Sequence, residues 1–443
     1  MQCFCYEKFI NGYNTNINFL NGDFHRMSSI IVKNSGQLFG DVEISGSKNS
    51  SLPILAACIL TNGANIISNI TDLSDIKVMY SLLDSLGAKI DINGKKVSVN
   101  CENILKFTTP YELVGKMRAS FLIAGALLAR LGHARIALPG GCPIGTRPVD
   151  LHLKGFGQMG AEISQGHGYV EMKAEKLKGA KIYLDFPSVG ATENLIIAAV
   201  MADGETVIEN AAAEPEIVDL TDFLIKQGAI IEGSGSDTIK ITGVKELKAV
   251  EHTVIPDRIE AGTFMSAFAM SRGKGKIKNV NLNHIKPVTA KLSEMGVEFL
   301  EIGNNTLEID ARKKLKMSDV KTLPFPGFPT DMQAPFTVLL SSIEGTGIIV
   351  ETVFENRFLH IAELNRMGAN IKIDGRTSVV EGGRALSGTK VNAFDLRGGA
   401  ALVLAGMIAN GNTQISGIEH IERGYENFLD KLSKIGGNCY KVE

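Results

Sequence analysis

Glycines punctuate this chain of 443 residues at a nearly constant interval: Gly87, Gly160, Gly228, Gly296, Gly368 and Gly436, with steps of 73, 68, 68, 72 and 68 residues. Each closes a similar phrase, such as Leu86-Gly87-Ala88, Met159-Gly160-Ala161 and Met367-Gly368-Ala369. A unit of about 70 residues is therefore written six times, and self-similarity at a fixed period sets the architecture before any motif is considered. A second ladder, Gly63, Gly132, Gly204, Gly273, Gly345 and Gly411, ends six runs of apolar and small residues. The runs Ser50–Asn62, Ala119–Leu131, Ala191–Asp203, Ala261–Arg272, Met332–Glu344 and Gly399–Asn410 are apolar almost all round, which predicts helices buried on every side. Glycine just past a helix takes the left-handed conformation that other residues resist.

The helices before the first ladder are instead amphipathic: Ile76, Met79, Leu83 and Leu86 form one stripe, and Phe358, Ile361, Leu364 and Met367 another. Short β-rich stretches lie between. The unit reads as strand, buried helix, strand, amphipathic helix and a strand pair. This is an α/β fold in which six units divide into two lobes of three, joined near Gly243–His252. A solenoid would need polar capping repeats, and neither end resembles one. Residues 1–26 precede the first repeat and are expected to be a weakly ordered tail or a misassigned start, with Met27 an equally good beginning.

A formal net charge of -2 provides no global basic field for nucleic acid. No apolar run approaches the roughly 20 residues that span a bilayer, and the first 25 residues lack the pattern of a secretory signal. Six cysteines without metal or disulfide spacing fit a reducing cytoplasm.

Polar residues gather where the buried helices begin: Lys48 and Asn49, Arg118, Ser188, Arg258, Asp331 and Arg397. A helix start carries unpaired N–H groups and about half a positive charge, so a cation there is unfavourable unless something offsets it. One such residue snorkels or pairs locally; four in register point to a bound anion, phosphate first. The segment Pro139-Gly140-Gly141-Cys142-Pro143-Ile144-Gly145-Thr146-Arg147-Pro148-Val149-Asp150 prescribes a loop of fixed shape, with Arg147 favouring a Cys142 thiolate; an ordinary turn with a surface thiol is the plainer reading. Asp331 by itself reads as an N-cap ahead of a general base, and Arg423 as a partner of Glu419 or Glu422.

These residues resemble the signatures of the UDP-N-acetylglucosamine 1-carboxyvinyltransferase family. The resemblance runs through Ser45-Gly46-Ser47-Lys48-Asn49, the Gly140–His152 loop, Glu214-Pro215-Glu216-Ile217, Pro256-Asp257-Arg258-Ile259-Glu260, Phe328-Pro329-Thr330-Asp331-Met332-Gln333, Phe354-Glu355-Asn356-Arg357-Phe358 and Arg423-Gly424-Tyr425-Glu426. It begins near Met27 and implies two inside-out α/β lobes, residues 47–255 forming the first and residues 27–46 with 256–443 the second. It also implies transfer of the enolpyruvyl group of phosphoenolpyruvate to the 3-hydroxyl of UDP-N-acetylglucosamine, without metal or cofactor. In that likeness Cys142 is the acid and Asp331 the base, while Lys48, Arg147, Arg397 and Arg423 hold phosphate and carboxylate. Asn49, Arg118, Arg147, Pro148, Val149, Asp150, Leu151, Ser188, Val189, Gly190, Arg258, Val353 and Arg357 join the substrate site. Phe186 and Ala213 depart from basic residues of some relatives. The sister transferase acting on shikimate 3-phosphate lacks the cysteine loop, and a binding or regulatory paralogue is the non-enzymatic alternative. The oligomeric state is left open; a monomer is compatible.

Overall fold

The computed structural model describes residues 28–115, 117–138 and 149–442. The expectations for residues 1–26 and for Cys142, Arg147 and Pro148 fall outside the described residues.

The glycine ladders mark helix ends. All six glycines of the first ladder have positive φ, from 91° at Gly160 to 114° at Gly87, and the Gly87 N–H returns to the Asp84 carbonyl to close its helix. The second ladder has one exception: Arg272, with φ 55°, takes the left-handed position in place of Gly273. Gly273 is required for space, because a Cβ there would run into the Leu38 carbonyl.

Four of the six buried helices begin earlier than their apolar runs suggest, and the second and fifth begin later. They span Lys48–Ala57, Ile123–Leu131, Val189–Ala199, Arg258–Met270, Gln333–Ser341 and Leu396–Ile408. Ser47, Ser188, Asp257 and Asp395 cap four of them by accepting from backbone N–H groups, so Lys48, Arg258 and Arg397 lie inside the first turn. Arg118–Leu122 and Thr330–Met332 form tighter 3-10 turns ahead of the other two.

A similar sheet recurs with five of the buried helices, while in the second unit the strand before the helix is reduced to a single parallel bridge, Thr108 to Arg135. The strand after the helix pairs in parallel with the strand before it and antiparallel with the second strand of the following hairpin, as in Val320–Lys321, Gly345–Val350, Thr377–Gly382 and Asn370–Asp374. Two units exchange a strand. Phe39–Glu43 precedes the first buried helix in sequence yet pairs with Lys274–Lys278, while Glu251–Thr253 precedes the fourth and pairs with Ala64–Ser68. The chain also closes on itself, since Ser29–Lys33 lies between Asn412–Ser416 and Asn438–Val442.

Two hydrophobic cores result. One runs from Leu52 to Val254; the other gathers Ile30–Ile44 with Ile259–Cys439. The joint expected over 243–252 is displaced: Leu247 is buried in the first core and the Val244 N–H donates to the Val200 carbonyl at 2.9 Å. The chain crosses later, where Ser47 N–H donates to the Ile255 carbonyl at 2.8 Å and Asp257 N–H to the Ser45 carbonyl at 2.9 Å. Two antiparallel segments, bridged at Gly46 and Pro256, thus form the connection between lobes. Among the described residues no helix is long and apolar enough to cross a membrane.

Candidate active site

The cations at the helix starts meet neither of the plainer expectations. Lys48, Arg258 and Arg397 do not reach solvent, and their carboxylates are 27, 42 and 66 residues away rather than local. The Lys48 ammonium lies 3.1 Å from Asp75 Oδ2. The other oxygen of Asp75 accepts from Arg423 Nε at 2.8 Å. One carboxylate from the first lobe therefore joins Lys48 to an arginine of the second. Arg423 does not pair with Glu419 or Glu422; Glu422 faces Lys441 instead.

Asp331 does not cap its helix, for its turn has no side-chain cap. Its carboxylate is gripped by Arg357 Nη2 at 2.7 Å and by Arg397 Nε and Nη2, each at 3.1 Å. The Arg397 guanidinium lies 5.0 Å from the centre of the Tyr425 ring, and its Nη1 is buried without a hydrogen-bond partner among the described residues. A buried guanidinium N–H left without a partner is a costly group that an anion would satisfy.

Electrostatics support an excess of positive charge. Burial pulls the Lys48 ammonium below its ordinary value, and Arg397 and Arg423 lower it further against the pull of Asp75. Burial alone would raise Asp75 and Asp331. Lys48 and Arg423 reverse it for the first, and Arg357 and Arg397 hold the second well below the usual carboxylate range.

A second group forms within the first lobe. Asn194 accepts from Gly125 N–H at 2.8 Å and donates to the Phe121 carbonyl at 2.9 Å, with His152 Nδ1 at 3.0 Å. That network fastens together the turn headed by Arg118, the helix Asp150–Gln158 and the helix Val189–Ala199. It thereby gathers Arg118, Val149, Asp150, Leu151, Ser188, Val189 and Gly190. Burial, then Arg118, pushes the His152 imidazole down to about 3, so it is a neutral positioning group. Val353 enters through Glu351, a fully buried carboxylate that accepts from the Val353 and Phe354 N–H groups at 2.8 and 3.1 Å and from the Thr330 hydroxyl at 2.8 Å.

Arg258 stands apart. Its guanidinium is engaged by Glu216, Nε to Oε1 at 3.0 Å and Nη2 to Oε2 at 3.2 Å, in a pair that bridges the lobes. Sequence reasoning missed Asp75 and Glu216 as partners. Asp75 carries no signal beyond an acid in the first turn of an amphipathic helix, the ordinary choice there. Asn49 is half-buried beside Lys48.

The repeated lobes and the anion-ready mouth define a two-lobed carboxyvinyl transferase. The profile of the EPSP synthase (3-phosphoshikimate 1-carboxyvinyltransferase) family matches residues 32–432. The chain is 56% identical over 414 residues to UDP-N-acetylglucosamine 1-carboxyvinyltransferase 1 of Caldanaerobacter subterraneus subsp. tengcongensis, covering 94% of this chain and 99% of that one. It is 53% identical to UDP-N-acetylglucosamine 1-carboxyvinyltransferase 2 of Clostridium tetani, covering 94% and 100%. Among solved structures it is similar to the enolpyruvyl transferase NikO from Streptomyces tendae, with TM-score 0.85 and 25% identity over 94% of this chain and 99% of that chain. EPSP synthase from Acinetobacter baumannii shares the fold at TM-score 0.73 and 17% identity, over 94% of this chain and all of that one. The chain belongs to the EPSP synthase family and, within it, to the UDP-N-acetylglucosamine 1-carboxyvinyltransferases.

Proposed function

We propose that this chain transfers the enolpyruvyl group of phosphoenolpyruvate to the 3-hydroxyl of UDP-N-acetylglucosamine and releases phosphate, the first committed step of peptidoglycan synthesis, in the cytoplasm. One observation carries the reading: identity of 53–56% across nearly the full length to proteins bearing that activity in their names. The identity to EPSP synthases of known structure is 17–18%, which favours the sugar nucleotide over shikimate 3-phosphate as acceptor.

In this reading Lys48, Arg397 and Arg423, with Arg147, take the phosphate and carboxylate of the donor. Cys142 protonates the donor's methylene carbon while the sugar oxygen bonds to the central carbon and gives its proton to Asp331. Cleavage of the carbon–oxygen bond to phosphate, with loss of a methyl proton, restores the double bond. An acid and a base are both required. A carboxylate held as low as Asp331 is a weak base while Arg357 and Arg397 grip it. An anionic donor that draws on Arg397 raises Asp331 toward a working value, so donor binding prepares the base. Arg118, Val149–Leu151, Ser188–Gly190 and Val353 form the nucleotide-sugar side, with Asn49, Pro148, Arg258 and Arg357 supporting. Burial raises the thiols of Cys101 to about 12 and Cys439 to about 11 and lifts Cys58 well above its ordinary value. None of these competes with Cys142 as a thiolate.

Phosphate release measured with UDP-N-acetylglucosamine or shikimate 3-phosphate as acceptor, with and without fosfomycin, tests the assignment. Release should require the sugar nucleotide and stop when fosfomycin alkylates Cys142. Release with shikimate 3-phosphate alone assigns the sister reaction, and release with neither leaves a binding role.

A further inference from the structure

The segment that follows Arg423 carries a carboxylate that the reaction does not use. Glu426 is 9% exposed, yet its oxygens are directed at the other lobe and at the crossing segments. Oε1 accepts from the Asp72 N–H at 2.8 Å, and Oε2 accepts from the Ser45 hydroxyl at 2.9 Å. Lys95 lies 3.6 Å away with its ammonium end largely in solvent. Asp72 stands just ahead of the helix Ser74–Leu86, whose first turn holds Asp75, the partner of Arg423. The stretch 423–426 therefore touches the start of one first-lobe helix at two points, through Arg423 and through Glu426.

Ser45 links this clamp to the second lobe. Its hydroxyl accepts from Lys431 at 2.5 Å and its N–H donates to Glu260 at 2.7 Å, and Lys431 and Glu260 are paired at 2.6 Å. The Arg423 side chain is 38% exposed and its position rests on Asp75 and on its own backbone. That backbone is held from behind by the buried Tyr425, whose hydroxyl meets Thr263 at 2.9 Å, and from the front by Glu426.

We infer that Glu426 is a positioning residue that couples the spacing of the two lobes to the placement of Arg423 beside Lys48. This inference rests on the proposed donor-binding role of Arg423. Loss of the Glu426 charge lets the 423–426 stretch move with its own lobe, so Arg423 and the Asp75–Lys48 pair fall out of register for the donor. The nucleotide-sugar side, fastened by His152 and Asn194, is untouched.

The test compares wild type with Glu426→Gln at saturating UDP-N-acetylglucosamine, following phosphate release against phosphoenolpyruvate, with UDP-N-acetylglucosamine binding measured by calorimetry. A rise in KM for phosphoenolpyruvate of about tenfold or more is expected, since small misplacements of binding groups are costly. The fall in kcat should be smaller and sugar-nucleotide affinity unchanged within about twofold. Ser45→Ala should move KM the same way by less, and Lys95→Ala should leave both constants at wild-type values. Unchanged constants in Glu426→Gln overturn the inference, as does a fall in kcat with KM unchanged, which is the mark of lost active protein. If Glu426→Gln does not fold, an unchanged KM in Ser45→Ala overturns it. An inactive wild type removes the functional reading and this inference with it; an active wild type beside an unaffected Glu426→Gln removes only the inference.

Discussion

Two charged clusters sit at buried helix starts in this molecule and differ in sign. At the donor mouth four cations, Lys48, Arg357, Arg397 and Arg423, share two directly bound carboxylates, Asp75 and Asp331. Beside Arg258 the balance reverses: Glu193, Glu214 and Glu216 are all buried, and Arg258 is paired directly with Glu216. Burial pushes the Glu193 carboxyl well above its ordinary value, and Glu216 and Glu214 add to it. The fold meets the two excesses differently. In the proposed reading surplus positive charge receives an external anion, whereas burial and like charge favour the neutral form of a surplus carboxyl group. A bound anion can come and go with turnover, whereas burial and the neighbouring carboxylates favour the protonated form of Glu193.

The comparison breaks most visibly at Arg397. Arg397→Met removes the cation with the orphaned N–H, and kcat/KM for phosphoenolpyruvate in the phosphate-release assay should fall about 100- to 1000-fold. A loss below about tenfold would mean that the mouth's excess charge is not what receives the donor.

His152 belongs to the cationic side through Arg118. Its imidazole stays neutral in the fold until about pH 3, whereas the unfolded chain takes up that proton near pH 6.5. Acidification between those values therefore favours unfolding, at about 1.4 kcal/mol per pH unit from this group. Urea unfolding across that range should show a shallower pH slope in His152→Gln than in wild type, and equal slopes would place the imidazole in contact with water.

Glu193 gives the smallest effect, with the opposite pH sense. Its folded value is raised, so wild-type stability is complete below about pH 4.3 and declines as the unfolded chain ionises above it. Glu193→Gln should raise stability at pH 7 by about 1 kcal/mol or more, with no gain near pH 4. A destabilised variant at pH 7 would show that the acid cluster carries its full charge.

Much of this was legible in sequence because repeats are local. The six glycines of the first ladder mark helix ends through φ, which one residue sets for itself, and apolar runs locate buried helices. Gly273 was legible as a helix end only approximately, since the clash that requires it comes from Leu38, 235 residues away in chain order. Lys48, Asp331, Arg397 and Arg423 stood out by register and resemblance, while Asp75 did not, because an acid in a first helical turn is commonplace. The lobe joint was placed too early, since a lysine- and glutamate-bearing stretch such as 243–252 looks like a linker when its sheet partner, Ala64–Ser68, lies far away in sequence.

Sequence alone determined the six-fold repeat, the α/β class and which cations stand at buried helix starts, because each depends on spacing within a few turns of chain. Tertiary structure decided which carboxylate each cation meets, which strands change lobes, and that Arg423 answers to Asp75. Those outcomes depend on contacts between residues from 27 to 348 positions apart, and only the folded backbone sets such distances.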